Sequence, residues 1–154
     1  MVINASKFGG ININSDTVLH LPEGLLGFDS YKNFALLRND HYPSLKWLQA
    51  TEDPSLIFIV TNPIDFFPDY DIELSDDDFK SLELESMDDA ALVTTVTIDR
   101  DLGILTTNLM GPIILNSRNC LARQIVMQDD RYSTKHAISK YLLKKSAHRY
   151  KTHD

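Results

Sequence analysis

The sequence predicts a mainly β fold, an antiparallel β-barrel or roll-like single domain with one short helix and a C-terminal amphipathic helix. Seven or more short runs of alternating or β-branched apolar residues predict the strands, and turn residues separate them. Near residue 135 the spacing of apolar residues changes from strand-like to helical. A β-sandwich is the alternative architecture. We divide the 154 residues into a β-barrel-like domain, 1–134, and a basic helix and tail, 135–154.

Two of the predicted strands, 11–14 and 17–21, alternate apolar and polar residues, which is typical of a strand with one buried face. The run 56–60 is apolar throughout and therefore predicts a central strand that is covered on both faces. Trp47 is predicted to anchor the core or its rim. The other predicted strands are 2–6, 11–14, 17–21, 34–37, 45–50, 92–98, 106–109, 113–116 and 122–127.

Two segments predict helices. Ser75 is a good N-cap, and the three aspartates that follow it suit the first turn of a helix over 76–82. From Lys135 onward, apolar residues recur at helical spacing among lysines and histidines. This pattern predicts an amphipathic helix from 135 to about 148, followed by a basic tail.

Charge is distributed unevenly along the chain. Residues 1–130 carry 21 acidic and 8 basic residues, whereas residues 131–154 carry 7 basic residues and 1 acidic residue. The steepest stretch, 65–89, holds 11 acidic residues and the single base Lys80. An acidic body of this kind repels nucleic acid and attracts basic proteins. The alternative interpretation is a solvated face that only aids solubility.

No motif predicts catalysis, and we expect no enzyme activity, no cofactor and no metal site. A calcium loop beginning at Asp69 would need Gly and Glu at its sixth and twelfth positions, which hold Leu74 and Lys80. Phosphate-binding glycine loops and HExxH spacing are absent from the sequence. Cys120 is predicted to fill the core. Since the sequence shows neither a signal peptide nor an apolar run long enough to span a membrane, we expect a cytoplasmic protein with no membrane partner.

Several segments, in order along residues 1–132, resemble the FliW family of flagellar assembly factors. Residues 22–28 (PEGLLGF) and 34–37 (FALL) resemble the family's "F-x-x-G-L-x-G-F…F-x-L" opening. The other matching segments are 48–50 (LQA), 58–60 (FIV), 67–70 (FPDY), 107–113 (TNLMGPI) and 124–126 (QIV). Ala50 and Gly111 depart from the usual Ser and Ala. Each segment is short, but their shared order makes the resemblance specific.

The resemblance implies a β-barrel-like protein without catalytic activity that binds flagellin and the translational regulator CsrA, a small RNA-binding dimer. In this family, the protein removes CsrA from the flagellin message while free flagellin is scarce. Unsecreted flagellin then occupies the protein, and CsrA returns to repress translation. This is partner switching with mutual exclusion of the two partners.

The acidic stretch suggests which residues meet a basic partner. We expect Asp69, Asp71 and Glu73 to supply the negative field and Phe67 and Tyr70 the buried anchor. In the competing interpretation, the two aromatic residues cap the core and the acids are only solvated.

The turn after residue 107 is a further candidate contact site. Asn108 and Leu109 lie there, although a turn fixed by side-chain hydrogen bonds is the stronger expectation. A second function class is a nucleic-acid- or ligand-binding β-barrel that uses its basic C-terminal tail, whereas the first class predicts no direct contact with nucleic acid.

Overall fold

The computed structural model describes residues 1–8, 17–101 and 103–138, and within these ranges the chain is built almost entirely from β-strands. The strands are β1 (Val2–Asn4), β2 (Thr17–His20), β3 (Asn33–Arg38), β4 (Leu45–Ala50), β5 (Ile57–Thr61), β6 (Asp71–Glu73), β7 (Ala90–Asp99), β8 (Ile104–Thr107), β9 (Ile113–Asn116), β10 (Ala122–Gln124) and β11 (His136–Ala137). One α-helix, α1 (Asp76–Ser81), follows β6. Single 3₁₀ turns occupy Ala5–Lys7, Pro63–Asp65 and Met87–Asp89.

The main sheet is antiparallel, with the strand order β10-β9-β7-β5-β4-β3-β2. The long strand β7 organises it. The first four residues of β7 pair with β9, and its later residues pair with β5 on one side and β8 on the other. The last described strand, β11, adds to the outer edge of β8. A separate two-stranded sheet joins β1 to β6.

The main sheet curls until its two ends approach each other, which produces a roll. The backbone N–H of His20 donates to the carbonyl of Cys120 at 2.8 Å, and His20 forms a single parallel bridge with Leu121. Within the described part of the chain, this bridge does not extend into a ladder between β2 and β10. The roll-like form of the prediction is therefore confirmed, whereas the closed barrel is not adopted.

Three apolar clusters stabilise the roll. The largest fills its inside, because alternate residues of β3 and β4, such as Phe34, Leu36 and Leu48, point inward and are fully buried. The second lies between the main sheet and the β1–β6 pair with α1, around Tyr70 and Ile114. The third cluster consists of Leu45, Phe66, Val96 and Ile138.

The structure corrects the predicted elements at three places. Residues 136 and 137 form a strand, and Ile138 is fully buried, so the helix predicted to begin at Lys135 does not begin there. The strand 57–61 is not covered on both faces, since Ile57 is 48% exposed. The prediction also missed β6 as a strand. The remainder of the predicted C-terminal helix, from 139 to about 148, the predicted tail after it and the strand predicted at 11–14 lie outside the described residues.

Candidate protein-binding surface

The acidic stretch, residues 65–89, runs from the second 3₁₀ turn through β6 and α1 to the third 3₁₀ turn. Most of its carboxylates face solvent. Asp78 is buried, and Asp71 and Asp89 are half-buried. The exposed members are Asp65, Asp69, Glu73, Asp76, Asp77, Glu83, Glu85 and Asp88. The acidic stretch predicted from the sequence is thus exposed at most of its carboxylates along the connection between β5 and β7.

Three arginines from later in the chain neutralise part of this charge. Arg131 lies 3.7 Å from Asp71, Arg123 lies 3.2 Å from Asp77, and Arg118 lies 3.5 Å from Glu85. With Lys80 alone the stretch has an excess of ten negative charges, and with these arginines the excess is seven. Among the described residues, no cation lies within ion-pair distance of Asp65, Asp69 or Asp76.

Local hydrogen bonds explain why the short helix α1 forms within so acidic a segment. The hydroxyl of Ser75 accepts a hydrogen bond from the backbone N–H of Asp78 at 3.1 Å, and the Asp78 carboxylate accepts one from the N–H of Ser75 at 2.9 Å. This reciprocal capping satisfies donors at the helix start. Arg123 donates to Ser81 at 2.7 Å and so fastens the helix end to β10. Asp78 therefore has a structural role, whereas Asp76 and Asp77 are exposed at the surface.

An aromatic cluster lies beside the acidic stretch. Its members are Phe67, Tyr70, Tyr132 and His136. The rings of Tyr70 and Tyr132 meet edge to face, with centroids 4.8 Å apart, and the Phe67 and His136 rings meet in the same way at 5.6 Å. Residues 129–138, which we call the C-terminal arm, supply half of this cluster. The arm is held by β11 and by the Leu109 N–H, which donates to the carbonyl of Ser133 at 3.1 Å.

Tyr70 and Leu109 lie beneath the surface and are only 1% exposed. The Tyr70 hydroxyl donates a hydrogen bond to the carbonyl of Leu109. Burial raises the pKa of this phenol, and the neighbouring Tyr132 raises it further. These contacts favour the interpretation in which Tyr70 caps the core. Phe67 is only half-buried and packs against two of the three clusters, so part of its side chain is accessible to solvent within the acidic stretch.

The three carboxylates proposed from the sequence have different surroundings. Asp69 is exposed, and Asp71 accepts a hydrogen bond from the Asn4 side chain at 3.1 Å in addition to its contact with Arg131. Glu73 lies 2.9 Å from the amino group of Met1. Because side chains alternate along β6, Asp71 and Glu73 point to the same side of the strand and Ile72 points to the core.

Asn108 fixes the turn between β8 and β9. Its side-chain oxygen accepts hydrogen bonds from the backbone N–H groups of Met110 and Gly111, at 2.9 and 3.0 Å. The expected turn fixed by side-chain hydrogen bonds is confirmed. The Asn108 backbone N–H donates to Thr95 at 3.0 Å, which holds the turn along the edge of β7. Asn108 thereby positions the Leu109 carbonyl for Tyr70.

The C-terminal arm brings residues to this surface that the sequence patterns did not predict. The hydroxyl of Tyr132 accepts a hydrogen bond from the Asp71 N–H at 2.9 Å. Arg131 contacts both Asp71 and Asp129, and its hydrogen bond lowers the pKa of the Asp129 carboxyl. His136 accepts a hydrogen bond from the Ser133 N–H, and burial lowers the pKa of its imidazole. The only sequence signal was the change in charge sign at residue 131.

No group of three or more histidine, cysteine, aspartate or glutamate side chains in ranges 1–8, 17–101 and 103–138 is arranged to hold a metal ion. The described ranges also contain no helix that is long and apolar enough to cross a membrane. Cys120 is half-buried and packs against the largest cluster, in agreement with its predicted role as a core residue.

Comparisons with known proteins agree with the resemblance of the sequence. A family model described as "FliW protein" matches residues 2–138. A flagellar assembly factor FliW from Alkaliphilus metalliredigens is 35% identical over 139 residues, which cover 90% of this chain and 86% of that protein. A flagellar assembly factor FliW from Treponema denticola is 36% identical over 138 residues, which cover 90% of this chain and 93% of that protein. A crystal structure titled as the flagellar assembly factor FliW matches with a TM-score of 0.72 at 30% identity, covering 78% of this chain and 84% of that one.

Proposed function

Because the chain belongs to the FliW family of flagellar assembly factors, we propose that it acts by binding flagellin and the translational regulator CsrA in alternation, and not by catalysis. While free flagellin is scarce, the protein binds CsrA and relieves repression of the flagellin message. Accumulated flagellin displaces CsrA, which then represses translation again. This role places the protein in the cytoplasm, where the message is translated.

The observation that carries the CsrA half of this proposal is the set of exposed carboxylates in the acidic stretch. A protein that binds RNA presents a basic surface to it. An excess of seven negative charges, after the arginine contacts are counted, steers such a surface toward residues 65–89. Once the complex has formed, the same charges repel RNA phosphates from the neighbourhood. The field acts over about 8 Å at physiological salt, so it is local.

The anchor of the contact is Phe67, which lies at the edge of the exposed carboxylates. Half-buried aromatic side chains bordered by charge are typical of the centre of a binding site. Tyr70, Asn108 and Leu109 support this position from below, since their hydrogen bonds fix the turn against which the C-terminal arm packs. Asp69 is the proposed contact among the carboxylates, together with the outward-facing Asp71 and Glu73 of β6.

Charge reversal tests the proposal, and the structure determines which residues to reverse. Asp65→Lys combined with Asp69→Lys alters two exposed carboxylates without an ion pair to any described cation, whereas Asp71→Lys would also break contacts to Asn4 and Arg131. We expect the double variant to associate with CsrA several-fold more slowly and with a weaker dependence on salt. Stopped-flow association at low and high ionic strength measures both quantities.

Asp29→Lys is the matched control, because Asp29 is exposed in the β2–β3 connection outside the acidic stretch. It changes the net charge by the same amount per residue and should alter the association rate little. Equal rates and equal salt dependence for wild type and the double variant, with the fold verified by urea unfolding, would refute the proposed surface. Competition between purified flagellin and CsrA for the full chain tests the switching step itself.

The alternative function, a nucleic-acid- or ligand-binding barrel, depends on the seven basic residues in 131–154. It predicts tight, salt-sensitive binding of RNA to the isolated full chain, which is lost when residues 139–154 are deleted. The proposed function predicts no such binding. An electrophoretic mobility assay with a single-stranded RNA therefore separates the two.

A further inference from the structure

The face of the main sheet that points away from the inside of the roll is strongly apolar, and we call it the outer face. Four large apolar side chains on it are exposed to a high degree: Val18 by 51%, Trp47 by 37%, Ile57 by 48% and Ile98 by 50%. None of these four belongs to any of the three apolar clusters in the described ranges. An exposed apolar surface of this kind usually marks a contact site.

Strand pairing shows that these residues share one surface. Val18 pairs with Ala35, which pairs with Gln49, which pairs with Ile57. The next row across the same face consists of Leu37, Trp47, Ile59 and Val96. Since side chains alternate along a strand, residues two apart on each strand point to the same side. Ile98, two residues after Val96, therefore extends the outer face toward β8.

The described part of the chain ends at this face. Ile138 is fully buried in the third cluster, where Val96 and Leu45 are its neighbours and Ile59 packs alongside. Its backbone N–H donates to the carbonyl of Leu105 at 2.9 Å. Ile138, the last described residue, therefore lies at the border of the outer face, next to the row that contains Trp47.

The sequence of residues 139–154 is matched to such a surface. At 3.6 residues per turn, Leu142, Leu143, Ala147 and Tyr150 fall on one arc of about 140°. All five basic residues fall on the opposite arc, and they are Lys140, Lys144, Lys145, Arg149 and Lys151. As a helix, the 16 residues would be about 24 Å long. The neighbouring strands β2, β3, β4, β5, β7 and β8 span a similar width of about 24 Å.

Charge at the border of the outer face complements the basic arc. The β4–β5 turn contributes Glu52 and Asp53, and the β7–β8 hairpin contributes Asp99 and Asp101, with Arg100 as the basic residue between them. Strand register places these two connections at the same end of the sheet. A helix that buries its apolar arc against the sheet would present lysines toward these carboxylates.

We propose that residues 139–154 form a basic amphipathic helix that docks across the outer face of their own chain, with Leu142, Leu143, Ala147 and Tyr150 against Trp47 and its neighbours. The docked helix covers Val18, Trp47, Ile57 and Ile98, the exposed apolar side chains of the outer face that belong to none of the three clusters. The outer face lies outside the surface proposed to bind CsrA, so a failure of either proposal leaves the other untouched.

Trp47 provides the test, because it is the only tryptophan in the chain and lies within the proposed contact. In the full chain, Leu142→Ser combined with Leu143→Ser should release the helix and expose the indole to water. We expect a shift of the emission maximum to longer wavelength and a larger acrylamide quenching constant. Tyr141→Ser is the matched control, since Tyr141 lies on the basic arc, and it should leave both values near those of wild type.

A reciprocal change on the sheet provides a second measurement. Ile57→Asp places a charge on the outer face at a site that is already half exposed. Hydrogen exchange of the backbone amides in 139–154 should then become faster than in wild type, while exchange in β3 and β4 stays unchanged. Unaltered Trp47 emission and quenching in the double leucine variant would overturn the proposal. Emission that varies with protein concentration would also overturn it, because a second copy of the chain would then be the occupant.

Discussion

Removing the Tyr70 hydroxyl is the sharpest test of how the candidate surface is supported. Tyr70→Phe deletes one oxygen and keeps the ring that meets Tyr132 edge to face. In wild type that hydroxyl donates to the Leu109 carbonyl in a site where both residues are 1% exposed. The variant leaves a buried carbonyl without its donor, and water cannot readily replace it.

The expected loss of folding stability follows from the burial of the Leu109 carbonyl. Leaving a buried acceptor unsatisfied costs about 1–2 kcal/mol. For a domain of this length, that loss corresponds to a decrease in Tm of roughly 2–8 °C. In urea, the midpoint should fall by roughly 0.5–1 M while the slope stays constant, because the surface exposed on unfolding does not change. Trp47 fluorescence and far-UV circular dichroism report the transition.

The pH dependence provides an independent check on the same contact. Burial raises the pKa of Tyr70 above its ordinary value of 10.0. The unfolded chain therefore ionises first as the pH rises, and the stabilisation from the neutral phenol is complete below pH 10 and lost above it. The stability difference between wild type and Tyr70→Phe should shrink above pH 10 and stay constant between pH 7 and pH 9, as expected for a phenol of ordinary pKa about 10.

Two measurements separate a supporting role from a contact role. Tyr31→Phe, at a half-buried tyrosine packed against the largest cluster, controls for loss of any hydroxyl. If Tyr70 supports the surface from below, Tyr70→Phe lowers the urea midpoint and leaves CsrA affinity of the folded protein unchanged. An unchanged midpoint would show that the hydrogen bond to Leu109 contributes nothing to stability, and the argument for Tyr70 as a capping residue would fail.

Three further changes test the surrounding structure. Gly24→Ala should destabilise the chain more than Gly27→Ala, as measured by the urea midpoints of the two variants. Both glycines have positive φ, but a Cβ at Gly24 would lie 2.6 Å from the backbone of Asp29, whereas a Cβ at Gly27 meets nothing within 4 Å. Ser75→Ala removes the helix cap and should cost about 1 kcal/mol, measured in the same way. Burial lowers the pKa of His136 in the folded chain, so the neutral imidazole contributes stability above pH 6.5 that is lost as the pH falls through the folded pKa. His136→Gln should therefore lose less stability on acidification than wild type does. A stability profile as steep as that of wild type would contradict this.

Local patterns in the sequence predicted most of the fold. Alternating, continuously apolar and β-branched runs located the strands from β2 to β5 and from β7 to β10 to within three residues, and the Ser75 cap located α1, because these signals depend on neighbouring residues alone. The strands β6 and β11 were missed. Each is three residues or fewer and exists because a distant partner, β1 or β8, offers an edge. No local pattern specifies such pairing.

The candidate surface shows the same division between local and distant causes. The members of the acidic stretch lie close together in the sequence, so the stretch could be located from the sequence alone. Its arginine partners are distant in the chain, as with Arg118 and Glu85, which are 33 positions apart, so only the fold shows how much of the charge is neutralised. The aromatic pattern was equally ambiguous: Phe67 and Tyr70 are three residues apart, yet one faces the surface and the other the Leu109 carbonyl.

The C-terminal arm links these observations, since it supplies Arg131 to the acidic stretch, Tyr132 and His136 to the aromatic cluster, and Ile138 to the outer face. A partner that binds at Phe67 would therefore meet a surface whose shape depends on residues 129–138 staying in place. If the following residues dock on the outer face, they hold the arm from its far end. Release of the helix by Leu142→Ser and Leu143→Ser should then raise hydrogen exchange at 133–138, and the association rate with CsrA would report whether the arm has loosened at Asp71. An unchanged exchange rate at 133–138 would show that β11 alone fixes the arm.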